Sequence, residues 1–241
     1  RYETDEKHFN DAMRQFVNYN GIQPDEKQEK AVRSAGENGF SIITGGPGTG
    51  KTTIIRCVLH YLGSIGIKCL LAAPTGRAAK RMAEACGVEA KTLHRLLEIN
   101  AGTEEEGAEM SFKRNEMSPL DAGAVIVDES SMVDMILFYH LLCAVKPGTR
   151  LILVGDKDQL PSVGPGKVLR DCIDAGVFNT VILEEIYRQE SESLIPYNAR
   201  KINRGEMPDL NVKEKDFFLI RRRTPEECLA AVLELCGKRL P

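Results

Sequence analysis

Gly45-Gly46-Pro47-Gly48-Thr49-Gly50-Lys51-Thr52 separates an apolar run at residues 40–44 from a stretch with helical periodicity. Glycine reaches backbone conformations closed to other residues, so this loop can turn a strand directly into a helix. The alternation continues without the glycines. Apolar runs recur at residues 69–73, 124–127, 151–154 and 181–183, and helical periodicity fills the intervals. Runs that are apolar throughout belong to strands buried on both faces. The chain is therefore expected to be an α/β protein, a parallel sheet flanked by helices.

The loop matches G-x-x-x-x-G-K-[ST] at every fixed position. Backbone N–H groups of such a loop face a phosphate chain, and the helix that follows adds partial positive charge. Gly46, Pro47, Gly48, Thr49 and Gly50 are thus expected around a nucleotide's phosphates, with Thr53 in the same site. Lys51 is expected to reach the β- and γ-phosphates. The Thr52 hydroxyl is expected to ligate Mg²⁺, an ion that needs only one or two protein groups when phosphate oxygens are present.

Val125-Ile126-Val127-Asp128-Glu129 is an apolar strand ending in two carboxylates, and a parallel sheet delivers its strand ends to the ligand crevice. Asp128 is expected to hold the Mg²⁺ shell. Glu129 is expected to orient and deprotonate the attacking water, which predicts hydrolysis of the γ-phosphate. Another strand, Leu151-Ile152-Leu153-Val154-Gly155-Asp156, runs into Lys157-Asp158-Gln159. The Gln159 amide suits a γ-phosphate sensor, because it both donates and accepts; the alternative is that Asp158 and Gln159 only satisfy backbone groups of a turn. Arg188, beyond the last strand in Glu184-Glu185-Ile186-Tyr187-Arg188, is a candidate cation for the γ-phosphate or else a surface partner of Glu184 or Glu185.

These segments together predict a P-loop nucleotide hydrolase. Asp128 is followed by Glu129-Ser130-Ser131 rather than by the D-x-x-G of a small GTPase, and no N-K-x-D is present. The Ser-Gly-Gly signature of transporter ATPases is also missing.

The 241 residues carry a formal net charge of −3, so the bulk basic signature of many nucleic-acid binders is absent and only a local basic stripe remains open. Seven irregularly spaced cysteines contain no C-x-x-C pair and read as reduced, inert thiols. No apolar run is long enough for a membrane helix, and the first residues lack a signal core, so a soluble, cytoplasmic protein is expected. The start at Arg1 and the stop at Pro241 give the expectation of a piece of a longer polypeptide.

Residues 4–20 space Phe9, Met13, Phe16 and Val17 for an amphipathic helix, and Pro24 is expected at the first position of the next one. Residues 100–122, rich in Gly and Glu, are expected to be an inserted loop or small hairpin, with a disordered acidic loop as the alternative. Residues 216–220 are expected to form a strand, and Thr224-Pro225-Glu226-Glu227 to open a final helix.

The residues resemble superfamily 1 DNA helicases, and among them the RecD-like branch that moves 5′ to 3′, over roughly residues 24–204. The resemblance implies a RecA-like ATPase domain at 24–205 with a small insertion about 100–122, a helix or linker from a preceding domain at 1–23, and the beginning of a second RecA-like domain at 206–241. Pro24-Asp25-Glu26-Lys27-Gln28 is similar to the family's Q-motif, implying that Gln28 reads adenine. Ala72-Ala73-Pro74-Thr75-Gly76-Arg77 resembles motif Ia, implying that Pro74, Thr75, Gly76 and Arg77 touch single-stranded DNA; Thr92-Leu93-His94 looks like the next such motif and adds Thr92 and His94. Arg77, Lys80 and Arg81 offer local positive charge to the phosphates of a strand, with a solvated helix face as the favoured reading of Lys80 and Arg81. Gln159-Leu160-Pro161-Ser162-Val163-Gly164-Pro165-Gly166 resembles an extended motif III.

By this resemblance the chain is expected to bind ATP and Mg²⁺ and to couple hydrolysis to movement on single-stranded DNA, with DNA crossing the rim of the sheet opposite the nucleotide. Recombination or repair subunits are the implied protein partners. A complete motor carries a second domain with a further arginine at the nucleotide, so slow turnover is expected of these 241 residues alone. The rival reading is an ATP-dependent binding or regulatory module without strand separation.

Overall fold

The computed structural model describes residues 2–100, 111–185, 193–210 and 216–238. Two compact units divide the chain, one spanning Arg1–Tyr187 and the other Arg188–Pro241.

The first unit opens with α1 (Glu6–Asn20), capped by the Asp5 carboxylate, which accepts from the Lys7 and His8 backbone N–H groups. Its apolar stripe of Phe9, Ala12, Met13 and Phe16 is buried, with the Phe9 ring edge-on to Tyr61 at 5.0 Å. The helix α2 (Glu26–Glu37) begins on Asp25, not on Pro24 as expected. Asp25 accepts from the Gln28 N–H and Gln28 returns a side-chain bond to the Asp25 N–H, a reciprocal cap that Pro24 has no N–H to make.

There follow β1 (Phe40–Gly45), α3 (Lys51–Ser64), β2 (Cys69–Ala73), α4 (Gly76–Cys86), β3 (Ala90–Thr92) and the short α5 (Leu93–Leu96). Then come β4 (Ile99–Asn100), β5 (Ser111–Phe112), β6 (Ala124–Val127), a 3₁₀ turn at Ser130–Met132, α6 (Met135–Ala144), β7 (Arg150–Gly155), α7 (Val168–Asp174) and β8 (Asn179–Leu183). Six strands form one sheet in the order β3-β2-β6-β7-β1-β8, and every neighbouring pair is parallel. The apolar runs predicted all of these strands except β3. Ala90-Lys91-Thr92 sits at the sheet edge with one partner, half-buried, and so carries no apolar run.

Successive residues of each strand feed two opposite cores. Ile43, Ile126, Ile152 and Val154 pack with α1, α2, α3 and α4, whereas Ile42, Val125, Val127, Leu151 and Leu153 pack with α5, α6 and α7. Both faces are covered, which is why the runs are unbroken. Truncating a fully buried isoleucine such as Ile126 or Ile152 to alanine costs roughly 2–5 kcal/mol.

At the insertion, β4 and β5 pair antiparallel with Ile99 opposite Phe112; residues 101–110 lie outside the described residues. Of the readings open for this stretch, a hairpin base is what the described residues show.

The second unit contains α8 (Leu194–Asn203) and α9 (Pro225–Lys238). Asn198 is fully buried, donating to the Asp209 carbonyl at 3.1 Å and accepting from the Asp209 N–H at 2.7 Å. The strand expected at residues 216–220 is not formed. These residues find no ladder partner among the described residues; Asp216 instead accepts from the Leu194 N–H at 2.7 Å, and the Leu219 N–H bonds the Leu210 carbonyl. Among the described residues, no helix is long and apolar enough to cross a membrane.

Candidate nucleotide site

A sheet whose strands all run one way places every strand's carboxyl end on one rim. Ala73 stands beside Thr92, Ala72 beside Val127, Val127 beside Leu153, and Thr44 beside Gly155. The segments beginning at Gly45, Pro74, Asp128 and Asp156, and α5 after Thr92, therefore leave the same edge. The expectation of DNA-contacting motifs on the rim opposite the nucleotide is overturned by this register.

The loop after β1 curls as its glycines demand. Gly48 and Gly50 adopt φ of 76° and 81°, a region costly to any residue with a Cβ, and Gly50 caps α3. Thr49 is buried and donates its hydroxyl to the Gly46 carbonyl at 2.9 Å. Lys51 folds back over the loop, its ammonium donating to the Gly45 and Gly46 carbonyls at 2.7 and 2.9 Å. Pro47 and Thr52 are exposed at the mouth, while Gly46 and Thr53 are half-buried. Gln28, although a helix residue distant in sequence, is 2% exposed and donates its side-chain amide to the Thr49 carbonyl at 3.4 Å.

Asp128 is anchored by its own N–H to the Ala72 carbonyl at 2.9 Å, and its carboxylate accepts from the Glu129 N–H at 2.9 Å. Burial raises the Asp128 carboxyl above the ordinary aspartate value, opposed by that N–H bond and by the positive charges of Lys51 and Arg81. Glu129 takes the left-handed conformation at φ 50°, ψ 38°, rare for a residue with a side chain. Its Oε2 is buried with no hydrogen-bond partner among the described residues. A polar oxygen so placed is costly unless something binds it.

Ser130 is buried and bonds the Val154 carbonyl at 2.8 Å, while Ser131 donates to the Gln159 side-chain oxygen at 3.5 Å. Asp156 is buried and turns the chain by accepting from the Asp158 N–H, and the Lys157 N–H bonds the Thr44 hydroxyl at 3.1 Å. Gln159 is left exposed at the rim. An open cleft of about 500 Å³ results, lined by Thr52, Asp128, Glu129 and Gln159 together with Thr75, Arg77 and Arg81. Phosphate-loop, acidic and amide residues that sequence spacing treated as separate motifs thus share one space.

Arg188 lies outside the described residues; its neighbour Glu184 accepts from the Lys27 ammonium at 2.5 Å. Pro74 is half-buried, Gly76 and Arg77 are exposed, and the Thr75 hydroxyl caps α4 by accepting from the Ala78 N–H. Thr92 caps α5 in the same way, and the half-buried His94 ring lies 6.1 Å from Phe112 at the hairpin base. Two members of the site escaped the sequence reading. Ser131 gave no signal beyond its place after the carboxylates. Arg81, read as a solvated face, is exposed but lines the cleft, and its spacing four residues after Arg77 was the available clue.

Among the described residues no cluster of three or more His, Cys, Asp or Glu side chains could hold a metal by itself. The donor set fits Mg²⁺ in the manner of a phosphate-bound ion, with the exposed Thr52 hydroxyl and the Asp128 carboxylate facing one cleft. The unpartnered Glu129 oxygen fits a bound water or phosphate-side ligand.

Similar proteins agree with this geometry. The chain is 39% identical over 183 residues to the ATP-dependent RecD2 DNA helicase of Deinococcus radiodurans, covering 76% of this chain and 24% of that protein. It is 39% identical to the RecBCD enzyme subunit RecD of Mycolicibacterium smegmatis, over 62% of this chain and 30% of the relative, and 40% identical to the ATP-dependent DNA helicase dda of Enterobacteria phage T4, over 52% and 28%. The chain thus spans about a quarter to a third of the curated relatives it matches. Pif1 helicase from Candida albicans shares the fold, with a TM-score of 0.56 at 24% identity over 78% of this chain and 46% of that one. The resemblance to RecD-like helicases and the RecA-like P-loop fold are both borne out. The family described as AAA domain matches residues 28–165, more than half of the sequence, and the chain belongs to that family.

Proposed function

We propose that this chain is the ATP-binding motor domain of a DNA helicase or translocase, coupling ATP hydrolysis to 5′ to 3′ movement on single-stranded DNA in recombination or repair. The observation that carries the reading is the single cleft shared by Thr52, Asp128, Glu129 and Gln159, with the segment leading to Arg77 at its edge. Relatives named as ATP-dependent DNA helicases support it.

In this reading residues 46–53 cradle the phosphates, and Lys51 exchanges its two loop carbonyls for the β- and γ-phosphates. Thr52 and Asp128 hold Mg²⁺, which supplies charge neutralisation on the phosphate oxygens when bound. Glu129 takes a proton from the attacking water, Gln159 and Arg188 attend the γ-phosphate, and Gln28 contacts adenine. Pro74, Thr75, Gly76, Arg77, Thr92 and His94 contact the strand. Residues 24–205 form the ATPase domain, 1–23 lead into it, and 206–241 belong to a second RecA-like domain. The protein works in the cytoplasm, beside other recombination or repair subunits.

The test is ATP hydrolysis by a longer polypeptide that carries this chain, with and without single-stranded DNA, beside Lys51→Ala. Strong stimulation by DNA that the variant loses is the expected result. Nucleotide binding indifferent to DNA would sink the motor reading in favour of a nucleotide-dependent regulatory module.

A further inference from the structure

We propose that Arg81 is a ligand of the γ-phosphate, supplied by α4 from within the same domain. The proposal rests on the nucleotide reading above and adds to it a cation that reading did not contain. Arg77 and Arg81 stand four residues apart on α4, and both line the cleft with Thr52, Asp128, Glu129 and Gln159. Lys80 next to them pairs with Glu84 at 3.9 Å, both side chains solvated. Arg81 has no such engagement among the described residues, in hydrogen bond, ion pair or ring contact.

Charge decides which ligand such an arginine takes. Asp128 and Glu129 put two carboxylates in the cleft, and Lys51 of the phosphate loop bonds the Gly45 and Gly46 carbonyls. A triphosphate brought against two carboxylates meets repulsion that one lysine and one metal ion offset incompletely. A guanidinium presents planar, permanently charged donors matched to phosphate oxygens. Since Arg81 shares the cleft with Glu129 and Gln159, the groups assigned to the end of the phosphate chain, its ligand is the terminal phosphate of a nucleoside triphosphate and not a diphosphate. The helix that carries it begins at the Thr75–Arg77 segment, so the same rigid element would sense the γ-phosphate and bear on the strand.

The experiment is a fluorescence titration of this chain with mant-ADP and with mant-AMPPNP, both with Mg²⁺, on the unaltered protein and on Arg81→Ala, Arg81→Lys and Lys51→Ala. Arg81→Ala is expected to weaken the triphosphate analogue about tenfold and to leave the diphosphate unchanged, the latter showing that the variant is folded. Arg81→Lys restores part of the loss, because it keeps the charge without the fork. Equal affinities for both ligands in Arg81→Ala and the unaltered chain, with Lys51→Ala abolishing binding, would overturn the proposal and leave the nucleotide reading standing. Weakened binding of an oligo-dT strand with no change for either nucleotide would overturn it too, making Arg81 a DNA contact. Unchanged nucleotide binding in Lys51→Ala would remove the underlying reading itself.

Discussion

Gln28 joins the start of α2 to the phosphate loop: its side-chain N–H donates to the Thr49 carbonyl at 3.4 Å while its oxygen accepts from the Asp25 N–H at 3.3 Å. The amide still has a second N–H and a second lone pair, so contact with an adenine edge does not require either bond to break. Gln28→Ala therefore removes two things at once. Affinity for ATP is expected to fall about tenfold, and that for GTP about threefold, the common part reflecting the loop and the excess reflecting the base. Competition titrations with the two nucleotides measure the split, and equal losses would show that Gln28 serves the loop alone.

Glu129 combines a left-handed backbone with a buried carboxylate oxygen that has no partner among the described residues, and both are costs. Asparagine tolerates this backbone region better than glutamate. Glu129→Asn is expected to stabilise the chain by about 1 kcal/mol, read from urea unfolding. Glu129→Gln is expected to retain nucleotide while hydrolysis in a longer polypeptide carrying this chain drops by about 10²- to 10⁴-fold, the usual worth of a general base. A less stable Glu129→Asn would show that the carboxylate makes a contact that repays its strain.

Much of this was legible because parallel strands covered on both faces must be apolar throughout, as Ile42, Ile43, Val125 and Ile126 are. Periodicity failed where burial is one-sided or absent. Ala90-Lys91-Thr92 is an edge strand with one neighbour, and the strand expected at 216–220 has no ladder partner among the described residues. The phosphate loop could be read from spacing because glycine geometry is local. That Arg81 lines the cleft while Lys80 pairs with Glu84 depends on how α4 lies against β2 and β3, which no local pattern encodes.

Burial pushes the Cys57 thiol up to about 12 and those of Cys69 and Cys86 up to about 11, from an ordinary value of 9.0. Below pH 9 these thiols are protonated in both states and add no pH dependence. Between pH 9 and about 11 the unfolded chain releases protons that the folded chain keeps, so stability falls as pH rises. Urea midpoints at pH 8 and pH 10.5 should differ in that direction, and Cys57→Ala should flatten the slope. At pH 8 the exposed Cys228 and Cys236 should react with a thiol reagent well before Cys57. An undiminished slope in Cys57→Ala would assign the alkaline loss to other groups.

Gly164 lies so close to the cap of α6 that a Cβ there would run into the Asp134 Oδ2 and meet its Cβ at 2.8 Å. Asp134 accepts from the Leu137 N–H at 2.8 Å, and the Met135 N–H bonds the Pro165 carbonyl at 2.8 Å, so the segment following Gln159 is strapped to the start of this helix. Gly164→Ala must displace either the cap or the strap. Loss of the cap costs about 1 kcal/mol, and displacement of the strap moves the chain that carries Gln159 relative to Glu129. The expected outcome is a modest drop in stability joined to a larger loss of ATP hydrolysis, with nucleotide affinity nearly unchanged because the phosphate loop is untouched. Asp134→Gly supplies the control: it removes the capping carboxylate and also the Cβ that the added methyl would meet, so in the Asp134→Gly background Gly164→Ala should cost little further activity. A double variant as inactive as the two single losses combined would show that Gly164 acts through something other than Asp134.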